Sequence, residues 1–380
     1  MSINQTDLQL AKQMVIALHQ LPGVGWHAIK KAVSYKLWTR LYWNEEMLLE
    51  AGMSRAQAQA IMRGNQYTDW TSRPAVPDEL EHIGIQVLTP FDNSYPRKLQ
   101  EISQPPWVLY ALGRMELLTR PAAAVVGTRV PTAYGRHAAR KLAQQLTDAA
   151  VTVVSGLARG IDAIAHETAL AGVGGTIAVL PTAINDCYPP ENRHLYARLS
   201  NEALLLSETP FGMKLHPGQF HQRNRIIAAL SAATIIIECA SKSGSLITAK
   251  HAFEMNRELF AVPGPIHSPK SEGANELIRT GSARLISNAH QIFEELPWLK
   301  EEAEYFMNNR HHEKDTEPIN TEQLTSDEQK IIALLQVESL TFDELFEKLS
   351  IPFGHLNAVL LNLCIKQKIE LHPGSVYMIL

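Results

Sequence analysis

Apolar positions change their spacing several times along the 380-residue chain. Over roughly the first seventy residues they recur at helical intervals, at Leu8, Leu10, Met14, Val15 and Leu18, pause at LPGVG (Leu21 to Gly25), and resume through Ile29 and Val33. That spacing predicts short amphipathic helices joined by a glycine turn, a small helical domain over residues 1–72. A proline-bearing stretch from Arg73 to Pro77, a short strand within Gly84 to Thr89, and the run from Phe91 to Gly113 come next. Pro96, Pro105 and Pro106 exclude helix interiors there, so this part reads as a lead-in to a sheet. From Ala122 the pattern becomes AAAVVG, VTVVSG, TIAVLP, ALLLSE, ATIIIEC and ELFAVPG, separated by helical periodicity. Near-continuous apolar strands that alternate with helices predict a mainly parallel sheet covered on both faces. The fold class expected is α/β, doubly wound and Rossmann-like, over residues 73–297 with its core at 121–287.

After Leu296 the chain turns polar (KEEAEYFMNNRHHEKDTEPINTEQ), a composition that predicts a linker over 298–325. Residues 326–380 then hold three helical patterns and a hairpin. Ser326 with Gln329 and Thr341 with Glu344 have capping-box spacing, Pro352 suits the opening of the third helix, and Pro373-Gly374 separates KIEL from VYMIL. Three helices and a two-stranded wing predict a winged helix.

Composition narrows the function classes. With 35 Lys and Arg against 39 Asp and Glu, no global field attracts a polyanion, so any nucleic-acid site must be a local patch. Cys187, Cys239 and Cys364 are far apart in sequence and form neither a disulfide framework nor a metal pair; a reducing cytoplasm suits them. The N-terminal stretch lacks the pattern of a signal peptide, and the apolar run from Ile226 to Ile237 is well short of the roughly 20 residues of a membrane span. A cytoplasmic protein without a membrane partner, metal or cofactor is expected.

Four segments carry candidate chemistry. Gly127-Thr128-Arg129 closes a predicted strand ahead of a helix near Thr132 or Tyr134; unpaired N–H groups and a helix dipole there attract an anion, although a plain turn with a solvated arginine fits as well. In SGLARGID, Gly156 and Gly160 let the backbone approach a ligand and Arg159 supplies charge. Asp162 and His166, four residues apart, read either as an acid–base pair or as structural groups that order the turn. In FHQRNRIIAAL, Arg223, Asn224 and Arg225 are expected around a helix start, with Phe220 able to stack on a base. Their alternative is Phe220 in the core and the arginines in salt bridges to Glu208 or Glu238. Ser243, Gly244 and Ser245 precede a helix bearing Lys250. All four segments converge on the carboxyl edge of the sheet. The dinucleotide fingerprint and the Walker pattern are absent, and no catalytic group stands out.

VVGTR, SGLARGIDAIAH, YPPEN, QRNRII, SGSLITA and FAVPG, in this order and spacing, resemble the DprA/Smf family of DNA-processing proteins over Phe91 to Ile286. The resemblance implies an extended Rossmann-like fold, usually homodimeric, that binds incoming single-stranded DNA during natural transformation and loads the RecA recombinase onto it. It places DNA contacts on Arg129, Gly156, Arg159, Arg223, Asn224, Arg225, Ser243, Ser245 and Lys250. The chain departs from the family pattern at His221, where proline is common, at Asn256, where glycine is common, and at Pro181-Thr182. LPGVG with Lys30 and Lys31 is similar to a helix-hairpin-helix or SAM-like element, whose turn N–H groups can hold one phosphate; the alternative is a domain that only packs against the rest of the chain. The third helix of the tail has Leu356, Val359, Leu360 and Leu363 as its core stripe and few cations, so protein contact or weak duplex binding is expected of it. Leu277, Ile278, Leu285 and Ile286 are candidates for a dimer surface. Two competing readings are a nucleotide-processing enzyme similar to the phosphoribohydrolases, and a scaffold that binds proteins through its terminal domains.

Overall fold

The computed structural model describes residues 5–40, 42–65, 70–71, 74–314, 326–336, 340–349, 353–365, 368–372 and 376–379. The chain divides into two compact units, Met1–Asn309 and Arg310–Leu380. Among the described residues of the first, nine strands form one sheet: β1 (Gln86–Leu88), β2 (Leu109–Gly113), β3 (Ala122–Gly127), β4 (Thr152–Ser155), β5 (Thr176–Ala183), β6 (Leu204–Thr209), β7 (Ala233–Ile237), β8 (Glu258–Ala261) and β9 (Arg284–Leu285). Their order is β1-β2-β6-β5-β4-β3-β7-β8-β9. Strands β6 through β9 in that order are parallel, while β1 and β2 add an antiparallel edge. The chain winds outward from β3 to β6, then returns to the other side of β3 as β7. The β3/β7 junction is therefore the topological switch point, where open α/β sheets bind ligands beyond their carboxyl ends.

Helices α1 (Gln5–His19), α2 (Trp26–Ser34), α3 (Glu45–Glu50) and α4 (Arg55–Asn65) precede the sheet, and α5 (Arg97–Gln100) lies between β1 and β2. The crossovers are α6 (Ala133–Asp148), α7 (Ile161–Ala169), α8 (Arg193–Glu202), α9 (Pro217–Leu230), α10 (Ser245–Glu254) and α11 (Glu272–Arg279), followed by α12 (His290–Glu295) and α13 (Pro297–Lys314). The pleat divides the core. Ala123, Val125, Ile235 and Ile237 face one layer with Leu142, Leu146 and Ile161, whereas Ala122, Ala124, Val126 and Ile236 face the layer that contains Ile226, Ile227 and Ala249. Three successive alanines in central β3 let helices on both faces pack close.

Two boundaries differ from the sequence-based expectation. The N-terminal helices do not keep a separate core: Met14, Leu18 and Ile29 belong to the same buried cluster as Leu109 and Tyr110, and His19 Nε2 donates to Glu208 O at 2.8 Å. Where a linker is expected from residue 298, the chain is helical as far as Lys314. Leu299, Ala303 and Met307, four apart, form a narrow apolar stripe on the second core layer that the surrounding charge hides from a composition-based reading. Residues 315–325 lie outside the described residues. Among the described residues, no helix is long and apolar enough to cross a membrane.

The second unit contains α14 (Ser326–Leu335), β10 (Leu340–Thr341), α15 (Phe342–Leu349), α16 (Phe353–Ile365), β11 (Ile369–His372) and β12 (Val376–Ile379), with strand order β10-β12-β11. This is a winged helix. Leu356, Val359, Leu360 and Leu363 are buried with Ile331, Leu335 and Leu345. Thr341 N and Oγ1 donate to Glu344 Oε2 while Glu344 N donates to Thr341 Oγ1, the reciprocal capping box. Pro352 and Pro373-Gly374 lie outside the described residues. The single basic side chain within the α16 sequence, His355, lies 3.2 Å from Asp327.

Candidate nucleic-acid interface

Beyond the carboxyl ends of β3, β4 and β7 the surface opens into a crevice of about 710 Å3, floored by Gly127 and Thr128 and walled by Arg129, Phe220, Asn224 and Ser243. The β3 and β7 loops are tied together before any ligand arrives. Thr128 N donates to Glu238 O at 2.7 Å, and the buried Glu238 carboxylate accepts from Thr132 N at 2.8 Å and from the Thr132 hydroxyl. Thr132 in turn caps α6 by accepting from Gly135 N.

The β4 loop is held along its backbone by the side chains of Asp162, His166 and Asn192. Leu157 has a left-handed φ of 54°, a conformation that costs an L-residue about 1–2 kcal/mol. It is held from both sides. Its N–H donates to His166 Nε2 at 3.3 Å, and its carbonyl accepts from Asn192 Nδ2 at 2.9 Å. His166 Nδ1 lies 2.7 Å from Thr176 Oγ1, whose own proton goes to Val153 O. Nδ1 must therefore carry the hydrogen, leaving Nε2 as acceptor, and the ring is neutral. Burial drives its pKa down to about 3. Asp162 accepts from Gly156 N at 3.2 Å and Ala158 N at 3.4 Å. Burial raises its pKa, opposed by neighbouring Arg223 and by those two N–H groups. Of the two sequence-based readings, the structural one describes both residues. Gly160 has φ +78°, and a Cβ there would lie 2.4 Å from Thr128 O, so the β4 loop fits against the β3 loop only as glycine.

Helix α9 corrects the expectation for Arg223, Asn224 and Arg225. The helix begins at Pro217, one turn and more before them. His216 is its cap, accepting from Gly218 N, while Gln219 closes the capping box. Inside a helix successive residues point about 100° apart, so the three side chains separate. Arg223 turns inward: it is 6% exposed and Nη1 donates to Gly156 O and Val179 O. Burial lowers its pKa to about 10, with Asp162 opposing the fall and Arg129 adding to it, so it stays charged at neutral pH. Asn224 accepts from Arg223 Nε at 3.1 Å and donates to Gly244 O at 3.3 Å, joining α9 to the β7 loop. Arg225 points away from the crevice and grips Glu208, Nη2 to the two carboxylate oxygens at 2.6 and 2.5 Å. The salt bridge weighed as its alternative is the one that forms.

Arg129 remains. It is exposed, its guanidinium carbon 5.5 Å from the centre of the Phe220 ring, and Phe220 packs edge-on against Tyr188. Among the described residues no carboxylate pairs with it. Arg159 borders an adjoining depression of about 370 Å3 with Gly156, Tyr188 and Phe220. Ser243 and Ser245 share a hydroxyl contact at 2.8 Å and line the main crevice beside Gly244. Lys250 is a second correction: its side chain is 74% exposed, pairs with Glu254 at 3.7 Å and borders a different, apolar depression with Phe253 and Leu277. Tyr188, His221 and Lys242 line the crevice without having been singled out as site residues; the YPPEN motif was the available signal for Tyr188. Of the candidate dimer residues, Ile286 is buried in the core at 1% exposure, whereas Leu285 is 49% exposed; Phe253, outside that set, is 66% exposed.

Residues 86–297 match the family model for DNA recombination-mediator protein A, and residues 315–375 match the DprA winged helix domain. The chain is 39% identical over 327 residues to Protein Smf of Synechocystis sp., an alignment that covers 79% of this chain and 81% of that protein. To DNA processing protein DprA of Bacillus subtilis it is 38% identical over 247 residues, 64% of this chain and 83% of the relative. Among solved structures, DNA processing protein A from Streptococcus pneumoniae superposes with a TM-score of 0.65 at 32% identity, covering 78% of this chain and 99% of that one. DNA processing protein A from Helicobacter pylori, described for its single-stranded DNA binding mode, gives 0.51 at 34% identity, covering 57% and 96%.

Proposed function

The chain belongs to the DNA recombination-mediator protein A family, and from that premise we propose that its crevice binds single-stranded DNA and delivers it to a RecA-type recombinase. The observation that carries this reading is Arg129 beside Phe220. An arginine with no carboxylate partner among the described residues, over an aromatic face in a crevice lined by the hydroxyls of Thr128, Ser241, Ser243 and Ser245, offers a phosphate contact next to a stacking surface. Such stacking needs an unpaired base, so the pairing selects a single strand and is indifferent to sequence. Against the phosphoribohydrolase-like alternative, the acid and base that the sequence offers, Asp162 and His166, are both engaged in ordering the β4 loop.

The protein acts as a homodimer in this reading. Phe253 and Leu277 border an apolar depression, and exposed Leu285 lies on β9, the last strand of the sheet. The winged helix, whose third helix has no Lys or Arg among Phe353–Ile365, contacts protein rather than duplex phosphate. The test of mediation is recombinase filament growth on a strand precoated with a single-strand-binding protein. The chain is expected to shorten the lag, and Arg129→Ala to restore it. An unchanged lag with the wild-type chain contradicts the proposal.

A further inference from the structure

The loop that carries Arg159 is fastened along its backbone. Gly156 N and Ala158 N go to Asp162, Leu157 N goes to His166, and the carbonyls of Leu157 and Ala158 accept from Asn192 Nδ2 at 2.9 and 3.3 Å. The Arg159 side chain is the part that extends outward, and it meets Glu191, Nη2 to Oε1 at 2.5 Å, with the two side chains 58% and 56% exposed. Glu191 comes from the short turn Pro190–Asn192, the same turn whose Asn192 holds the Arg159 loop. Carboxylate and guanidinium are therefore delivered to each other by segments already locked together. The depression beside them is bordered by Arg129, Arg159 and Arg223, and none of the described residues that line it is a carboxylate. Glu191 thus places a negative charge at the edge of a cationic hollow, on one of its three arginines.

A carboxylate presents to the planar guanidinium fork the same acceptor geometry as two oxygens of a phosphate. An ion pair this open to water is weak and screened, so a polyanion anchored elsewhere on the rim displaces it readily. We propose, on the basis of the single-strand reading of this rim, that Glu191 is a resident competitor: its carboxylate occupies the place on Arg159 that a backbone phosphate takes in the complex. The consequence is a rim tuned below its maximal affinity, which releases a strand faster than its arginine content alone would allow.

The experiment is fluorescence anisotropy of the full-length chain with a labelled oligothymidylate at low ionic strength. It compares wild type, Glu191→Gln, Glu191→Ser, Arg159→Ala, the Arg159→Ala/Glu191→Gln double variant and Arg129→Ala, each checked for an unchanged thermal midpoint. Removing the carboxylate is expected to tighten binding by about 2–5-fold, the most that an exposed pair withholds, and the gain is expected to vanish when Arg159 is absent. Unchanged or weaker binding by both Glu191 variants, or a gain that persists without Arg159, overturns the proposal. If the wild-type chain fails to retain the strand and Arg129→Ala changes nothing, the reading of the rim fails, and this inference falls with it by a visibly different result.

Discussion

Replacing Gly156 by alanine should damage the rim through one identifiable collision. A Cβ at this position would lie 2.5 Å from Cζ and Nη1 of Arg223 and 2.6 Å from Nη2, where ordinary contact is 3.4–4 Å. The guanidinium must retreat by about 1 Å, and it cannot do so while Nη1 stays bonded to Gly156 O and Val179 O. A hydrogen bond from a charged group contributes about 1.5–3 kcal/mol, and a partly relaxed site recovers some of it. The expected loss is about 2–4 kcal/mol, seen as a fall in thermal midpoint of roughly 3–6 °C for a unit that runs from Met1 to Asn309. Arg223→Met removes the charged head but keeps much of the side-chain volume. It destabilises on its own account by leaving Asp162 without its cation, yet it also makes room for the new methyl group. In that background Gly156→Ala should cost under about 1 kcal/mol, so the cycle returns a coupling of at least about 1–2 kcal/mol. Thermal and urea unfolding of the four proteins provides the measurement. Equal damage from Gly156→Ala in both backgrounds would refute the packing of Arg223 against this glycine.

Phe220→Ala should weaken binding of an oligothymidylate by about 1–3 kcal/mol, and Phe220→Trp should largely preserve it, as read by anisotropy titration. Arg225→Ala should leave strand affinity nearly unchanged but lower stability by about 2–4 kcal/mol, because Glu208 loses its partner while still mostly buried; a large affinity loss with little change in midpoint would put Arg225 back on the rim. Acid should destabilise the fold. The unfolded chain takes up protons below pH 6.5 that folded His166, at about 3, and His19, at about 4, refuse. Stability is thus complete above that pH and falls as pH drops toward 4, by up to about 1.4 kcal/mol per pH unit for each histidine. His166→Asn should flatten the slope by one proton, measured by urea midpoints across the range. Charged substitution of Phe253 and Leu285 together should convert a dimer to a monomer in sedimentation; an unchanged mass would remove this face from the assembly.

The sheet was legible because its strands are long apolar runs ending in glycine or a small polar residue, and because each carboxyl-end loop announces itself by glycine, serine or arginine. AAAVVGTR and VTVVSG identify both a strand and the side of the sheet on which its loop must lie. Side-chain direction was harder to read. QRNR looks like one cationic cluster until the start of α9 is located, and the start depends on His216, an uncommon cap, followed by Pro217. Six residues of helix before Arg223 then settle that Arg223 is buried, Asn224 bridges and Arg225 leaves the site. Lys250 was misplaced for a related reason: it is six residues into the α10 numbering that begins at Ser245, on the face opposite the crevice. Leu299, Ala303 and Met307 were obscured because three apolar residues within a charged run say little about composition but define a stripe once the run is helical. Glu238 reads in the sequence as a salt-bridge partner for the α9 arginines, and nothing in the spacing shows that its carboxylate instead accepts from Thr132, 106 residues away.

The proposed role of Arg129 and its neighbours is to hold a single strand through phosphate contact and stacking. The most direct measurement is the salt dependence of affinity for a labelled oligothymidylate and for a duplex of equal length, with wild type and Arg129→Ala. Clear preference for the single strand is expected, with a loss of about 5–30-fold on Arg129→Ala and a log–log salt slope shallower by about 0.7 in the variant, the counterion term of one phosphate on a single strand. Equal affinity for strand and duplex, or an Arg129→Ala protein with wild-type affinity and slope, would contradict it.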